Sequence, residues 1–131
     1  LISQFGVWNL LFVSIALTGL RWYVMAAFAD SFMVIVLSQL IHALSFGLTH
    51  AVSVHFIHQF LPKAYHSRGQ AVYISVAFGL GGAFGNYMAG QQWQQGTNAY
   101  ETFFTAAVFA IVGALSLLLC SKKDMDESKA V

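Results

Sequence analysis

The sequence predicts an all-α polytopic membrane protein with four transmembrane helices, and three observations carry that prediction. Hydrophobic residues make up 58% of the 131 residues, charged residues make up only 8%, and the mean hydropathy is +0.68. Soluble domains carry about 25% charged residues, so this chain could not cover a water-exposed surface. Four apolar stretches each reach the roughly 20 residues that a helix needs to cross a bilayer.

The four spans, lettered A to D in chain order, cover residues 5–28, 32–61, 70–91 and 100–120. Pro62 ends span B, because proline has no backbone N–H with which to continue a helix. Asn98, followed three residues later by Glu101, resembles a capping box at the start of span D. Residues 1–121 are therefore predicted to form the transmembrane bundle, and the polar residues 122–131 to form a flexible tail.

The basic residues predict the orientation of the bundle in the membrane. Five of the six lie in the loop between spans B and C or in the tail, namely Lys63, Arg68, Lys122, Lys123 and Lys129. With four spans, that loop, the tail and the N-terminus share one face, and the positive-inside rule makes this face cytoplasmic. Because the sequence lacks an initiator Met, we also expect it to be the C-terminal piece of a longer protein.

Arg21 is the only basic residue inside a span. Two interpretations are open. The guanidinium can snorkel to the outer interface beside Trp22 and Tyr23, or it can face a polar cavity and bind an anion. The second interpretation marks a functional site, because a charge at this depth costs roughly 2.5–3.5 kcal/mol on insertion scales.

Span B contains the run IHALSFGLTHAVSVHFIH, with four histidines in eighteen residues. At 100° per residue, His42 and His50 lie about 80° apart on one helix face with Phe46 between them, whereas His55 lies on the other side. The pair near mid-span has two interpretations. The rings are buried and hydrogen-bonded to another helix, or they bind substrate and relay a proton, since imidazole titrates near neutral pH.

A haem or metal protein is the rival class. A b-type haem held between helices needs axial histidines on two facing helices, but every intramembrane histidine lies on span B. The single Cys120 gives neither an internal disulfide nor a metal-binding cysteine pattern. We therefore expect no metal and no cofactor.

Span C is rich in small residues, which let helix backbones approach closely in a bilayer. Two ridges are predicted to serve helix packing, and their glycines are Gly79, Gly81, Gly82, Gly85 and Gly90. The polar Asn86 falls within the first ridge. We expect Asn86 to hydrogen-bond within a pore and the glycines to pack against neighbouring helices.

Three segments resemble the last four helices of a major facilitator superfamily transporter: LTGLRWYVMA, LSQLIHALSFGLTHAVSVHFIHQFLP and RGQAVYISVAFGLGGAFGNYMAG. Within that superfamily they are similar to the 3-phenylpropionic acid transporter group, which is related to the sugar and nucleoside proton symporters. The tenth helix of that group carries a similar L-x-H-x-x-x-F-G-x-x-H run. The resemblance covers nearly the whole chain. It implies that spans A to D are helices nine to twelve of twelve, with both termini cytoplasmic.

The resemblance also suggests roles for individual residues. The lactose permease branch has an Arg on its ninth helix and a His and a Glu, three residues apart, on its tenth. Arg21 aligns with that Arg and His42 with that His, but Ser45 stands where the Glu would be. The usual proton-carrying carboxylate is therefore absent. It could lie in the missing half, His42 or His50 could replace it, or an anionic substrate could supply the charge.

These observations together predict the C-terminal part of a proton-coupled symporter in a bacterial inner membrane. Two six-helix halves would rock around a site near the midplane. Candidate substrates are an aromatic carboxylate such as 3-phenylpropionate, or a sugar or nucleoside. The predicted site comprises Arg21, His42, Phe46, His50 and Asn86. The partners would be the lipid bilayer, protons, the substrate and the missing N-terminal helices.

One alternative to the transporter remains open. A non-transporting four-helix membrane subunit could assemble through the glycine-rich faces of span C. We expect neither an enzyme nor a protein that binds nucleic acid.

Overall fold

The computed structural model describes residues 2–127, and helices account for nearly all of them. The α-helices, numbered α1 to α7, are Ile2–Phe5, Val7–Phe28, Phe32–Phe60, His66–Ile74, Gly81–Trp93, Ala99–Ser116 and Lys122–Asp126. The described residues contain no strand. The predicted all-α fold is confirmed.

Three helices in the described part of the chain are long and apolar enough to cross a membrane. They cover Val7–Phe28, Phe32–Phe60 and Ala99–Leu119, where a 3-10 turn extends α6. These helices coincide with the predicted spans A, B and D. At the start of α6, Asn98 makes no capping hydrogen bond with its side chain. The predicted capping box is therefore wrong, although the helix begins where it was expected.

Span C is a helix with a π-helical interruption. The segment Ser75–Leu80 is π-helical and joins α4 to α5. Ile74 (φ −62°, ψ −45°) and Gly81 (φ −63°, ψ −43°) keep helical backbone angles at the two joins, and the Gly81 N–H donates to the carbonyl of Val76, five residues back. Residues 66–93 thus form one continuous helix, in which neither α-helical part alone is long enough to span a bilayer.

Helix α2 lies at the centre of the bundle and packs on α3 and α6. Its closest approach to α6 is at Gly19, where an added Cβ would lie 2.7 Å from Cδ1 of Ile111. Small residues permit such close packing within a bilayer. The glycine that packs tightly therefore lies in span A, whereas the sequence predicted such packing in span C.

Two side-chain hydrogen bonds fix the register between the antiparallel helices α2 and α3. Ser14 Oγ lies 2.8 Å from Thr49 Oγ1, and Ser38 Oγ donates to Met25 Sδ at 3.1 Å. Residue numbers directly across an antiparallel pair add to a constant, and both pairs add to 63. By the same rule, position 21 lies level with position 42.

The five glycines predicted to pack helices make no such contacts in the described part of the chain. An added Cβ would meet nothing within 4 Å at Gly79, Gly82, Gly85 or Gly90, and only the carbonyl oxygen of Val76, at 3.5 Å, at Gly81. Gly81 and Gly85 line a space of about 280 Å³ between α5 and α6, and the face that carries Gly79, Gly82 and Gly90 is open. Their role in packing stays a prediction about helices outside this chain.

Residues 122–126 were predicted to belong to a flexible tail, but they form α7, which docks on α2. The Trp8 N–H donates to Asp126 Oδ1 at 3.0 Å, and Lys122 Nζ donates to Asn9 Oδ1 at 3.0 Å. A carboxylate is stabilised at a helix N-terminus by the positive end of the helix dipole. Met125 adds an apolar contact to the core cluster around Val7. Lys129 lies outside the described residues.

Candidate functional site

A cleft of about 660 Å³ lies between the four spans. Its polar lining residues come from every wall except α6, and with the aromatic residues of α3 and span C they are Thr18, His42, Phe46, Thr49, His50, Tyr73 and Phe78. Helix α6 contributes Phe109, Ala110 and Gly113. Three of the predicted site residues, His42, Phe46 and His50, therefore meet in one cleft. They do so because i, i+4 and i+8 positions share one broad face of a helix.

Aromatic rings from α3 and from span C line the cleft. The Phe46 ring centroid lies 5.6 Å from that of His42 and 6.3 Å from that of His50. Across the cleft, the Phe78 ring lies 5.6 Å from Phe46, and Tyr73 lies 5.8 Å from His50. Spacings of this size are typical of interacting aromatic pairs. A planar apolar group would find ring surfaces from both α3 and span C.

Three of the predicted site residues carry buried polar atoms without a hydrogen-bond partner. Among the described residues, four such side-chain atoms occur: Arg21 Nε, His42 Nδ1, His50 Nδ1 and Gln59 Oε1. Buried polar groups are nearly always hydrogen-bonded, so each exception needs an explanation. In the described part of the chain, neither Nδ1 atom makes the predicted hydrogen bond to another helix.

Arg21 is buried, with only 4% of its surface exposed. The snorkelling interpretation is therefore wrong. The guanidinium carbon lies 3.9 Å from the ring centroid of Trp22, which itself stacks on Phe103 of α6 at 5.7 Å. Arg21 is level with His42 and one helical turn from Thr18, but it does not line the cleft itself. The charge thus rests on an aromatic face immediately beside the cleft.

No carboxylate balances the Arg21 charge within residues 2–127. The side-chain ion pair found there joins Lys123 of α7 to Glu127, the residue after that helix. Ser45, at the position where the resemblance would place a glutamate, is buried, and its Oγ donates to the carbonyl oxygen of His42 at 3.3 Å. The same part of the chain contains no group of three or more His, Cys, Asp or Glu side chains that could hold a metal ion.

Asn86 is not brought to the cleft. It is exposed and does not belong to the lining residues. Gly81 does line the cleft, and Asn86 follows it by five residues, which is about 140° round an α-helix. The rotation places Asn86 on a different face of α5.

Sequence reasoning missed Tyr73 and Phe78. The two residues are five apart, so in an α-helix their directions would differ by about 140°. Here Tyr73 lies near the end of α4 and Phe78 lies inside the π-helical segment, and both line the cleft with ring centroids 5.7 Å apart. Five-residue spacing is the repeat of π-helical hydrogen bonds. The aromatic pair at that spacing was the available signal.

The comparisons with known proteins show the family of the chain. A protein-family model, that of the MFS_1 like family, matches residues 1–116. The chain belongs to the MFS_1 like family. This MFS_1-like chain is therefore part of a multi-pass membrane protein of the major facilitator superfamily, a superfamily of transporters, as the sequence predicted. No curated protein and no solved structure matches it. The finer resemblance to the 3-phenylpropionic acid transporter group stays a prediction.

Proposed function

We propose that this MFS_1-like chain is the C-terminal part of a proton-coupled symporter that binds a small organic anion in the cleft between its four spans. The observation that carries the proposal is the set of unpartnered buried atoms on Arg21, His42 and His50. Unsatisfied polar groups in a membrane interior are costly unless a ligand completes them. A ligand with one anionic group would do so.

The free polar atoms favour an aromatic carboxylate over a sugar or nucleoside. Thr18 Oγ1 already donates to the carbonyl of Ser14 at 3.1 Å, and Thr49 Oγ1 donates to that of Ser45 at 2.8 Å. The two imidazoles and the Tyr73 hydroxyl therefore remain as the uncommitted polar groups of the cleft. A sugar brings many hydroxyls that would find few partners, whereas 3-phenylpropionate brings one carboxylate and one ring. The volume of the cleft lies within the range of about 300–1,000 Å³ that is typical of small-molecule sites.

Arg21 would supply the positive charge, and for this its guanidinium would rotate away from the Trp22 ring. A cation–π contact contributes about 0.5–2 kcal/mol, whereas hydrogen bonds to charged groups contribute about 1.5–3 kcal/mol each. A guanidinium can make two of these to one carboxylate. The exchange of the Trp22 face for a bound carboxylate is thus favourable, and the level position of His42 lets both groups reach the same anion.

His42 would couple the anion to a proton. A bound anion between Arg21 and His42 stabilises a positive charge on the imidazole, and Arg21 alone opposes it. Anion binding and proton uptake then favour each other, as symport requires. Because Ser45 offers no carboxylate, we propose that the imidazole itself carries the proton.

The test is uptake of labelled 3-phenylpropionate into proteoliposomes that contain the full-length protein. We expect accumulation against a gradient only when an inward proton gradient is imposed. His42→Ala should still exchange labelled for unlabelled substrate but should lose accumulation, because the proton carrier is gone. Accumulation by His42→Ala equal to that of the wild type would contradict the coupling role.

We propose further that the membrane is the bacterial inner membrane, with both termini and the loop after Pro62 in the cytoplasm. The basic residues of that loop and of α7 support this orientation. A cysteine introduced at His66 should resist an impermeant thiol reagent added outside intact cells and react once the membrane is opened. Modification from outside would reverse the orientation.

The open glycine face of span C bears on the partner. Among residues 2–127 nothing covers Gly79, Gly82 or Gly85. Such a face would fit a self-assembling subunit as well as a transporter half. Family membership favours the N-terminal helices of the same transporter as the covering element, and we propose these as the partner.

A further inference from the structure

A second cleft, of about 710 Å³, lies between α3 and α4 at the membrane face that bears the Pro62 loop. We call it the outer cleft, because it lies at the end of the bundle, and we call the cleft around His42 the central cleft. The walls of the outer cleft are almost entirely apolar and include Ile57, Leu61 and Val72, and Met125 of α7 closes one side. Tyr65 and Arg68 are its polar residues at the loop end.

One residue, Tyr73, lines both clefts. Its ring lies 5.8 Å from His50 and 5.7 Å from Phe78, both of which belong to the central cleft only. The ring therefore forms part of the wall between the two spaces.

We propose that the outer cleft, on the face proposed to be cytoplasmic, is the vestibule through which the organic anion leaves the central cleft, and that Tyr73 is the gate between the two. This inference rests on the proposed function. The vestibule takes the ligand class of the central cleft: an apolar ring against its aliphatic walls and a carboxylate near Arg68. Tyr73 acts by position and makes no bond to a reacting atom.

The charge at the mouth of the outer cleft suits an anion. The Arg68 guanidinium carbon lies 5.7 Å from the Tyr65 ring, and no carboxylate pairs with Arg68 among residues 2–127. A cleft of one charge sign with low-dielectric walls attracts ligands of the opposite sign and raises their entry rate. Cationic solutes gain nothing from this arrangement.

In the helix that carries Tyr73, the part before this residue is packed tightly, and the part after it has few contacts that would oppose movement. At Gly69 an added Cβ would lie 2.5 Å from Cδ1 of Leu61 and 2.8 Å from Cγ2 of Ile57, so α4 is held closely against α3 there. Directly after Tyr73, all six residues of the π-helical segment are exposed within the described chain. π-Helical segments occur often at functional sites. A π-helical segment accommodates one extra residue in an α-helix. If this segment became α-helical, the part of the helix beyond it would rotate by about 100°, the turn of one α-helical residue.

Cysteine accessibility tests the gate without any substrate. In the full-length protein with Cys120 and other cysteines replaced, Ser53→Cys reports the outer cleft and Ala110→Cys reports the central cleft, since each lines one cleft only. An anionic methanethiosulfonate is added to the face of sealed vesicles that bears the Pro62 loop. We expect rapid modification at position 53 and slow modification at position 110.

Tyr73→Ala should raise the rate at position 110 about tenfold or more, because an open state populated below about 10% becomes dominant. The rate at position 53 should stay unchanged, which also shows that the variant folds. Tyr73→Phe should keep the slow rate, because the ring remains. Tyr87→Ala, an exposed tyrosine of α5 that lines neither cleft, is the matched control and should have no effect.

Charge selection is tested with the same reporters. Arg68→Gln should slow the anionic reagent at position 53 by about tenfold, and should not slow a cationic methanethiosulfonate. Equal slowing of both reagents would remove the anion preference.

Two results would overturn the proposal. An unchanged rate at position 110 in Tyr73→Ala would show that the route does not pass Tyr73. A cysteine at position 53 that never reacts would show that lipid or another helix fills the outer cleft. Protection of position 110 by 3-phenylpropionate is a separate readout. If protection is absent while Tyr73→Ala still opens the path, the proposed substrate fails and the gate stands.

Discussion

The two sides of the central cleft are built in opposite ways. Helix α2 buries eight of its 22 residues, including Ser14, Gly19 and Arg21, against α3 and α6. The facing helix of residues 66–93 buries none of its residues within the described chain. On the first side, the hydrogen bonds between α2 and α3 fix a register that puts Arg21 level with His42. The second side supplies Tyr73 and Phe78 from an exposed, π-helical stretch.

This contrast assigns different tasks to the two sides. A buried arginine needs a rigid environment, because its charge is costly to move through an apolar interior. A moving wall needs few contacts that must break. The structure therefore separates the element that binds from the element that opens.

The largest expected effect comes from the open side. Gly82→Leu should abolish transport by the full-length protein, because a large side chain would force the covering helices away from span C. Gly85→Leu should do the same. Stable expression with unchanged uptake in both variants would mean that this face meets lipid. The helix of residues 66–93 would then not be the moving side of the cleft.

A smaller loss is expected on the packed side. Gly19→Ala should lower stability by about 1 kcal/mol, the low end for overpacking, because its Cβ would lie 2.7 Å from Cδ1 and 3.0 Å from Cγ1 of Ile111, which must turn into the space that it lines. Gly79→Ala is the matched control, since its Cβ meets nothing within 4 Å. Thermal unfolding in detergent compares them. Equal losses would erase the difference between the two sides.

The ring wall of the cleft should have a measurable but modest effect on binding. Phe46→Leu should weaken 3-phenylpropionate binding by about 2- to 12-fold, because aromatic pairs contribute about 0.5–1.5 kcal/mol beyond area burial. Phe104→Leu makes the same change on α6, outside the central cleft. Calorimetric titration of both purified variants would decide whether ring contact matters.

The smallest expected effect lies at the N-terminus of α2. Asp126→Asn should lower stability by about 0.3–1 kcal/mol, because the carboxylate charge at the Trp8 N–H is lost while a hydrogen-bond acceptor remains. The loss should shrink at high salt. A salt-independent loss would point to packing by α7 as the cause.

The sequence predicted the spans where apolar residues form long uninterrupted runs. Spans A, B and D match α2, α3 and α6 because length and composition alone settle such helices. The helical period also placed His42, Phe46 and His50 on one face, and the cleft contains all three. These are local rules, and they hold without knowledge of the neighbours.

What the sequence could not predict depends on contacts between distant residues. The docking of Asp126 on Trp8 joins opposite ends of the chain. The polar composition of the tail could not show this contact, and it therefore predicted a flexible segment. The π-helical segment follows no simple composition rule, and an α-helical count therefore missed the pairing of Tyr73 with Phe78. The glycine ridges showed small residues but could not show whether a neighbouring helix covers them.

The account depends most on Arg21 as the anion-binding group, and equilibrium binding of labelled 3-phenylpropionate to the purified full-length protein tests it directly. Arg21→Lys keeps the charge but loses the planar pair of donors. We expect it to weaken binding by about 10- to 150-fold, which corresponds to a loss of about 1.5–3 kcal/mol. Lys123→Arg, a charge-conserving change on exposed α7, should bind as the wild type does. Wild-type affinity in Arg21→Lys would contradict the account.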